Sequence, residues 1–180
     1  MAKASKLQAP YRIDPFNTDN KNLRVVIETP KGSRNKFSYD PELGTYVLKS
    51  VLAEGMKFPY DFGFVPQTKA EDGDPLDVLL LMDEPAFTGC IVEGRIVGMI
   101  EAEQTEDGKS IRNDRVLAVA TQSHIHADIK HPKDLSSRMI DELEDFFVAY
   151  NKARGKKFKI LGVKNADAAM KLIKKSRSKR

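Results

Sequence analysis

The chain predicts an α+β fold, a small closed β-barrel with two C-terminal α-helices packed outside it. Three observations lead there. Short β-branched or alternating segments separated by Gly, Pro, Asn and Asp recur between residues 23 and 120. After Pro132 the apolar spacing changes to three and four residues, the mark of one helix face. Asn165 then stands where it can cap a second helix. Many short strands joined by turn signals favour closure into a barrel over a parallel sheet.

In order, residues 1–22 are polar, hold Pro10 and Pro15, and read as a surface lead-in. Residues 23–28 form a β-branched strand that ends before Pro30. Residues 36–39 alternate as a second strand, and residues 45–48 return as its hairpin partner after a turn at 41–44. Residues 58–66 set aromatics between glycine and prolines and read as an irregular, core-lining strand. The apolar run 78–82 is a buried strand. Residues 89–100 read as a strand pair, 91–92 and 95–100, followed by a polar excursion over 101–112 around the tight-turn sequence Glu106-Asp107-Gly108-Lys109. Residues 116–120 close the β-rich part. Met139, Ile140, Leu143, Phe146, Phe147 and Tyr150 place a helix over about 135–153, with Gly155 to stop it. Met170, Leu172 and Ile173 form the apolar side of the second helix.

Composition bounds the rest. One domain over residues 1–180 is the natural reading of this length. Hydrophobic residues at 41% and charged residues at 31% are ordinary for a water-soluble chain, and no apolar run approaches the roughly 20 residues of a membrane span. The N-terminal residues show no apolar segment of the kind a secretory signal carries. A single cysteine, Cys90, excludes an internal disulfide and fits a reducing, cytoplasmic compartment. The net charge of +4 is carried by residues 171–180, where Lys171, Lys174, Lys175, Arg177, Lys179 and Arg180 stand without an acid; subtracting those six leaves −2. Cations suit the C-terminal end of a helix, and no aromatic interleaving supports a nucleic-acid contact.

The chemistry centres on Glu71-Asp72-Gly73-Asp74-Pro75-Leu76-Asp77, in which three aspartates fall within six residues ahead of the buried run. Crowded carboxylates repel and lose hydration where the fold buries them. A solvated acidic turn is the simpler reading of the composition alone, since Gly and Pro beside Asp make turns anyway. A site for hard divalent ions is the chemical alternative, because such ions take oxygen ligands and keep positions open for phosphate. In that reading Asp72 and Asp77 converge on one ion and Asp74 points at a water. Glu28, Glu103, Asp107 and Asp114 are candidates to complete the acidic shell. Lys36, Arg115, Lys152 and Tyr150 are candidates to face a negatively charged substrate; for Arg115 and Lys152 a snorkelling surface residue is an even alternative. His124, His126 and His131 lie near one another, but no further ligand completes a zinc site at metal-ligand spacing.

These residues resemble the soluble inorganic pyrophosphatases of family I. The run from Asp72 to Asp77 is similar to that family's Asp-X-Asp-Pro-hydrophobic-Asp signature, and the resemblance extends from about Val25 to the second helix. It takes in Val26-Ile27-Glu28-Thr29-Pro30, Lys36, the aromatic segment from Phe58 to Pro66, and Phe146-Phe147 with Tyr150 before Gly155. It implies a five-stranded, OB-like barrel, dependence on Mg²⁺ with Mn²⁺ or other divalent ions substituting, and hydrolysis of pyrophosphate to two orthophosphates. By motif position it implies metal ligation by Asp72 and Asp77, a base at Asp74, an outer acid at Glu28, and phosphate contacts from Lys36 and Tyr150. It also implies a homo-oligomer, a hexamer in members of this size.

The chain departs from the family's pattern at several positions. Lys49-Ser50 stands where an Asp-Arg is usual, the arginine binding phosphate; Lys49 is the candidate to substitute for it, although a lysine does not reproduce a bidentate guanidinium contact. Phe62 replaces a tyrosine. In Asn113-Asp114-Arg115 the arginine fits the expected cation while Asn113 falls where a metal-binding aspartate belongs, so either Asn113 ligates weakly or Asp114 swings in. Gln104 takes the direct register of another acid, with Glu103 and Asp107 nearby. Asn151 stands where a lysine is expected, with Lys152 one step on. Two other readings stay open at this level: a related phosphoanhydride hydrolase with shifted substrate or weak activity, and a non-enzymatic barrel module that binds nucleic acid through the basic tail.

Overall fold

The computed structural model describes residues 10–19 and 21–177. Lys179 and Arg180 of the basic tail, with residues 1–9 of the lead-in, lie outside the described residues. The strands are β1 (Leu23–Thr29), β2 (Asn35–Asp40), β3 (Thr45–Val51), β4 (Asp61–Phe64), β5 (Asp77–Leu81), β6 (Ile91–Glu106), β7 (Lys109–Arg112), β8 (Arg115–Ala120) and β9 (Lys157–Asn165); the helices are α1 (Ser137–Lys152) and α2 (Ala166–Ser176).

Five strands close a ring in the order β1-β4-β5-β8-β6, and β6 pairs back onto β1. The expected barrel is therefore present. Its one parallel junction is β5 with β8, where Asp77 stands opposite Arg115. That pairing matters for the site, because it carries two functional candidates into one rung. Alternate residues of β5 divide between two apolar clusters. Leu79 and Leu81 join α1 residues Leu143 and Phe147, whereas Val78 and Leu80 join α2 residues Ala169 and Ile173. Burial on both faces explains why the run reads as continuously apolar.

Both helices are capped, α2 by the expected Asn165 and α1 by Ser136, which the sequence reading did not name. Ser136 Oγ accepts from the Met139 amide at the start of α1, and Asn165 Oδ1 accepts from Ala168 at the start of α2. Gly155 follows α1 with φ +75°, a conformation that glycine reaches without strain. The aromatic segment 58–66 contributes only the short β4; its Gly63 lies so close to β1 that a Cβ there would sit 2.0 Å from the Val26 carbonyl oxygen.

Four stretches differ from the expectation or refine it. Residues 91–100 are not two strands but the first part of one 16-residue strand, β6. Gly94 falls at the expected break between them and Gly98 inside the second, and both serve close packing. A Cβ on Gly98 would lie 2.3 Å from the Lys164 carbonyl oxygen, and one on Gly94 would lie 3.2 Å from the Ala118 Cβ. The polar excursion 101–112 is a hairpin, in which β6 pairs with β7 around Asp107 and Gly108, both at positive φ. Residues 157–165, left unassigned between the helices, form β9 along the outer part of β6. The lead-in, too, is more than a surface segment: Pro15 is buried, and the Tyr11 ring packs edge-on against Tyr39 and Phe64 at 5.0 Å each.

One buried acid gives a stability prediction. Asp61 opens β4 at 1% exposure; its Oδ1 accepts from the Ala86 and Lys31 amides, while its buried Oδ2 has no partner. Burial raises its pKa above the ordinary carboxylate value. An acid with a raised folded-state pKa contributes stability below its unfolded value and loses it as pH rises through the folded value. Asp61→Asn should therefore raise Tm at pH 8 by about 1 kcal/mol of stability, roughly 3 °C for a chain of this length. The gain should shrink towards pH 4. A Tm difference that stays constant across that range would contradict this account of Asp61.

Candidate active site

The acidic turn is held at both ends by its own segment. Thr68 Oγ1 donates to the Val65 carbonyl at 2.6 Å and accepts from the Leu76 amide at 3.0 Å, so the loop closes on itself just before β5. Inside it, the Ala70 amide donates to the Asp74 carbonyl at 2.7 Å, and Gly73 takes φ +94°. The Asp74 amide donates to Asp72 Oδ1 at 3.1 Å, fixing one carboxylate against the other's backbone. Asp72 and Asp74 are exposed at the mouth, and Asp77 begins β5 at the floor with its side chain 26% exposed.

The floor is electrostatically strained. Burial pushes the Asp77 carboxyl above its ordinary value; Arg115 and Lys36 pull it back, and Asp72 and Asp74 push it further up. Asp72 is raised as well, first by burial, with a smaller push from Asp74. Glu28 is buried at 7% exposure and raised by desolvation, although Ser38 Oγ and the Tyr39 amide donate to its Oε1 at 3.0 and 2.8 Å. Lys36 and Asp77 both act on Glu28, which places it at the edge of the same field.

Cations line the opposite side. Lys36 Nζ lies 5.0 Å from the Phe62 ring centroid and 5.7 Å from that of Tyr150, so an aromatic shelf presents its charge. Phe62, where a tyrosine was expected, is part of that shelf. Arg115 is 3% exposed and its guanidinium lies 4.1 Å from the Phe147 centroid and 4.6 Å from that of Phe158. It donates to the Asn113 carbonyl at 2.9 Å, reaches Asp77 Oδ2 at 3.6 Å, and leaves its buried Nε without a partner. At that depth it touches Asp77 from beneath and does not form the cleft surface. Burial lowers its pKa.

The strand register separates Asn113 from Asp114. Asp114 Oδ1 accepts from the Ala102 amide at 3.0 Å and from Arg112 at 2.7 Å, and Arg112 also meets Glu101 at 3.4 Å. Glu103 stands opposite Arg112 in the hairpin, so Glu103 belongs to that same outer face. Asn113 faces the other way, with Nδ2 donating to Gln104 Oε1 at 3.2 Å. Hence the Asn113 side holds two neutral carboxamides bonded to each other, while Asp114, its side chain only 10% exposed, is turned to Arg112 on the other side, where Glu103 also lies. Lys49 and Lys152 are exposed, and neither makes a hydrogen bond or ion pair within the described residues. The structure thus brings together Asp72, Asp74, Asp77, Glu28, Lys36, Arg115 and Tyr150, and leaves Lys49, Glu103, Asp114 and Lys152 apart from them.

The donor set is all oxygen, which suits a hard divalent ion, and the raised carboxyls mark negative charge that a cation would relieve. No group of three or more His, Cys, Asp or Glu side chains among the described residues is gathered tightly enough to hold an ion as it stands. That statement covers His124, His126 and His131 too. The acids therefore fit such an ion by chemistry, in a splayed arrangement.

Two residues near the site escaped the sequence reading. Arg154 donates through Nη1 to the Tyr150 hydroxyl, a pairing that the four-residue separation at a helix end makes readable. Tyr11 has its hydroxyl pKa pushed up to about 12, chiefly by burial and then by Glu28 and Asp74, so the lead-in reaches the cleft. No sequence spacing signals that second contact.

Comparison with known proteins adds an independent line. The family profile described as inorganic pyrophosphatase matches residues 25–180. An inorganic pyrophosphatase of Synechocystis sp. is 37% identical over 151 residues, covering 84% of this chain and 87% of that protein. One from Haloferax volcanii is 36% identical over 148 residues, covering 82% and 81%. The crystal structure of inorganic pyrophosphatase from Thermus thermophilus superimposes with a TM-score of 0.84 at 31% identity, covering 94% of this chain and 97% of that one.

Proposed function

The chain belongs to the inorganic pyrophosphatase family, and from that premise we propose that the cleft between the acidic turn and the aromatic shelf is its active site. The protein is a hydrolase of the phosphoanhydride bond that converts pyrophosphate to two orthophosphates. The observation that carries the assignment to this cleft is geometric: Asp72 and Asp74 are tied together on the turn that leads to Asp77, Arg115 reaches Asp77 Oδ2 at 3.6 Å, and Lys36 is held over the Phe62 and Tyr150 rings.

The family depends on divalent metal, and Mg²⁺ is the ion we assign to Asp72 and Asp77. When bound, such an ion supplies Lewis acidity, which screens phosphoryl charge and lowers the pKa of water. The residues do the rest. Asp74, exposed at the mouth and held by its own amide on Asp72, is placed to take a proton from the attacking water. Lys36 meets the phosphoryl charge from the aromatic shelf, and the Tyr150 hydroxyl supplies a hydrogen bond beside it. Arg115 holds Asp77 from beneath, so its effect on substrate runs through that carboxylate. Glu28 adds negative charge at the rim. The Asn113–Gln104 amide pair supplies no anionic ligand, so we assign no ion to that edge.

Among the described residues no helix is long and apolar enough to cross a membrane. A cytoplasmic location is our reading of the single cysteine, and a homo-oligomer that of the family resemblance. The substrate assignment is tested by orthophosphate release from pyrophosphate, tripolyphosphate and a nucleoside triphosphate at equal concentration with Mg²⁺. Pyrophosphate should be turned over fastest. A preference for either longer substrate would favour a shifted phosphoanhydride hydrolase, and salt-sensitive nucleic-acid binding without turnover would favour the basic-tail module.

A further inference from the structure

We propose that Arg154 is a phosphate-binding residue of this active site, acting in concert with Tyr150; the inference rests on the assignment of the cleft above. Three observations converge on it. First, Arg154 Nη1 donates to the Tyr150 hydroxyl, and the guanidinium carbon lies 5.3 Å from the Tyr150 ring centroid, so this cation, although its residue is exposed, is anchored on the tyrosine. Second, the Tyr150 ring is itself fixed. It is 9% exposed, stacks on Phe146 with an interplanar angle of 13°, and meets Phe58 edge-on at 6.0 Å. A rigid ring gives Arg154 a defined position beside Lys36, which approaches the same ring at 5.7 Å.

Third, the neighbouring candidates on α1 point elsewhere. Asn151 is 2% exposed and spends its Nδ2 on the Phe147 carbonyl at 2.8 Å, so it does not reach the cleft. Lys152 is exposed and makes no hydrogen bond or ion pair within the described residues. Arg154 lies in the turn after α1, its amide bonded to the Asn151 carbonyl at 2.9 Å, and that turn swings it back over Tyr150. A guanidinium engaged by one N–H keeps further donors in a planar fork, the geometry that suits phosphate oxygens. Its bond to Tyr150 also leaves the hydroxyl oxygen as acceptor and frees the hydroxyl proton to be donated to substrate. Arg154 thus contributes, on Tyr150, the cation that Asn151, standing where a lysine is expected, does not.

The test uses the full chain with Arg154→Ala, Arg154→Lys, Tyr150→Phe and the Arg154→Ala/Tyr150→Phe double variant. Steady-state hydrolysis of pyrophosphate gives KM and kcat, and calorimetric titration with inorganic phosphate gives Kd without turnover. Arg154→Ala should raise KM and the phosphate Kd on the order of tenfold, as loss of a charged hydrogen bond does. Arg154→Lys should recover part of that loss, and the double variant should cost less than the product of the single effects. KM and phosphate Kd within about twofold of wild type in Arg154→Ala would overturn the proposal, as would equal losses in Arg154→Lys and Arg154→Ala. A lower kcat at unchanged KM and Kd would make Arg154 a merely structural residue and would also overturn it. Should wild type release no phosphate from pyrophosphate, the functional reading fails, while the phosphate Kd still judges Arg154.

Discussion

Replacing Arg115 by alanine is expected to damage both stability and turnover more than any other single change to a cation in this protein. Its side chain is 3% exposed, lies over the adjacent rings of Phe147 and Phe158, and is set against Asp77. Truncation removes both ring contacts, opens a cavity under the cleft floor and leaves Asp77 without its nearest cation. Breaking a buried pair and emptying its space cost about 3 kcal/mol. The Asp77 carboxyl, already raised by burial, should rise further when Arg115 no longer pulls it back. Denaturant unfolding of the metal-free protein measures the first effect, and the pH dependence of kcat/KM the second. The acidic limb of that profile should move to higher pH. Arg115→Lys keeps the charge but not the planar stack, so it should retain part of the stability and less of the activity. Wild-type stability and an unmoved profile in Arg115→Ala would show that the residue holds nothing.

The second large effect is confined to chemistry. Asp74→Asn removes a carboxylate that is exposed and whose backbone, not its side chain, makes the turn's hydrogen bonds. Folding should therefore be unaffected, with Tm within about 1 °C of wild type for a change under 0.5 kcal/mol. Turnover should fall by about 10²–10⁴, the contribution of a positioned general base, with KM changed little. A fall in kcat of less than about tenfold would remove Asp74 from that role.

What the sequence revealed divides along physical lines. The barrel strands and both helices were legible because their periodicity and stop signals are local, as is the Asn165 cap of α2. The acidic turn was legible because its ligands, its turn glycine and its anchoring Leu76 fall within one short run. Where two distant strands must meet, local signals fail. The strand was read as broken at Gly94 because sequence does not say which neighbour presses on a glycine. Strand β9 was hidden by the lysines and glycine that interrupt its alternation, although Phe158 and Ile160 carry part of the pattern.

The same limit applies inside the site. Whether Asn113 or Asp114 faces inward depends on the register of β6 against β7, and a slip of one residue would exchange them. The register places the carboxamide inward and gives Asp114 to Arg112. Arg115 read as a cation facing the substrate or a snorkelling surface residue; its place under Asp77 follows from the parallel β5–β8 pairing, which composition does not announce.

The central claim is that the acidic turn, with its opposing cations, hydrolyses pyrophosphate. It is tested most directly by measuring orthophosphate released from pyrophosphate with Mg²⁺ by the wild-type protein and by the Asp74→Asn/Asp77→Asn double variant. The account predicts rapid release by wild type, loss of release on chelation, and a folded but inert double variant. Wild-type turnover no faster than that of the double variant would contradict it.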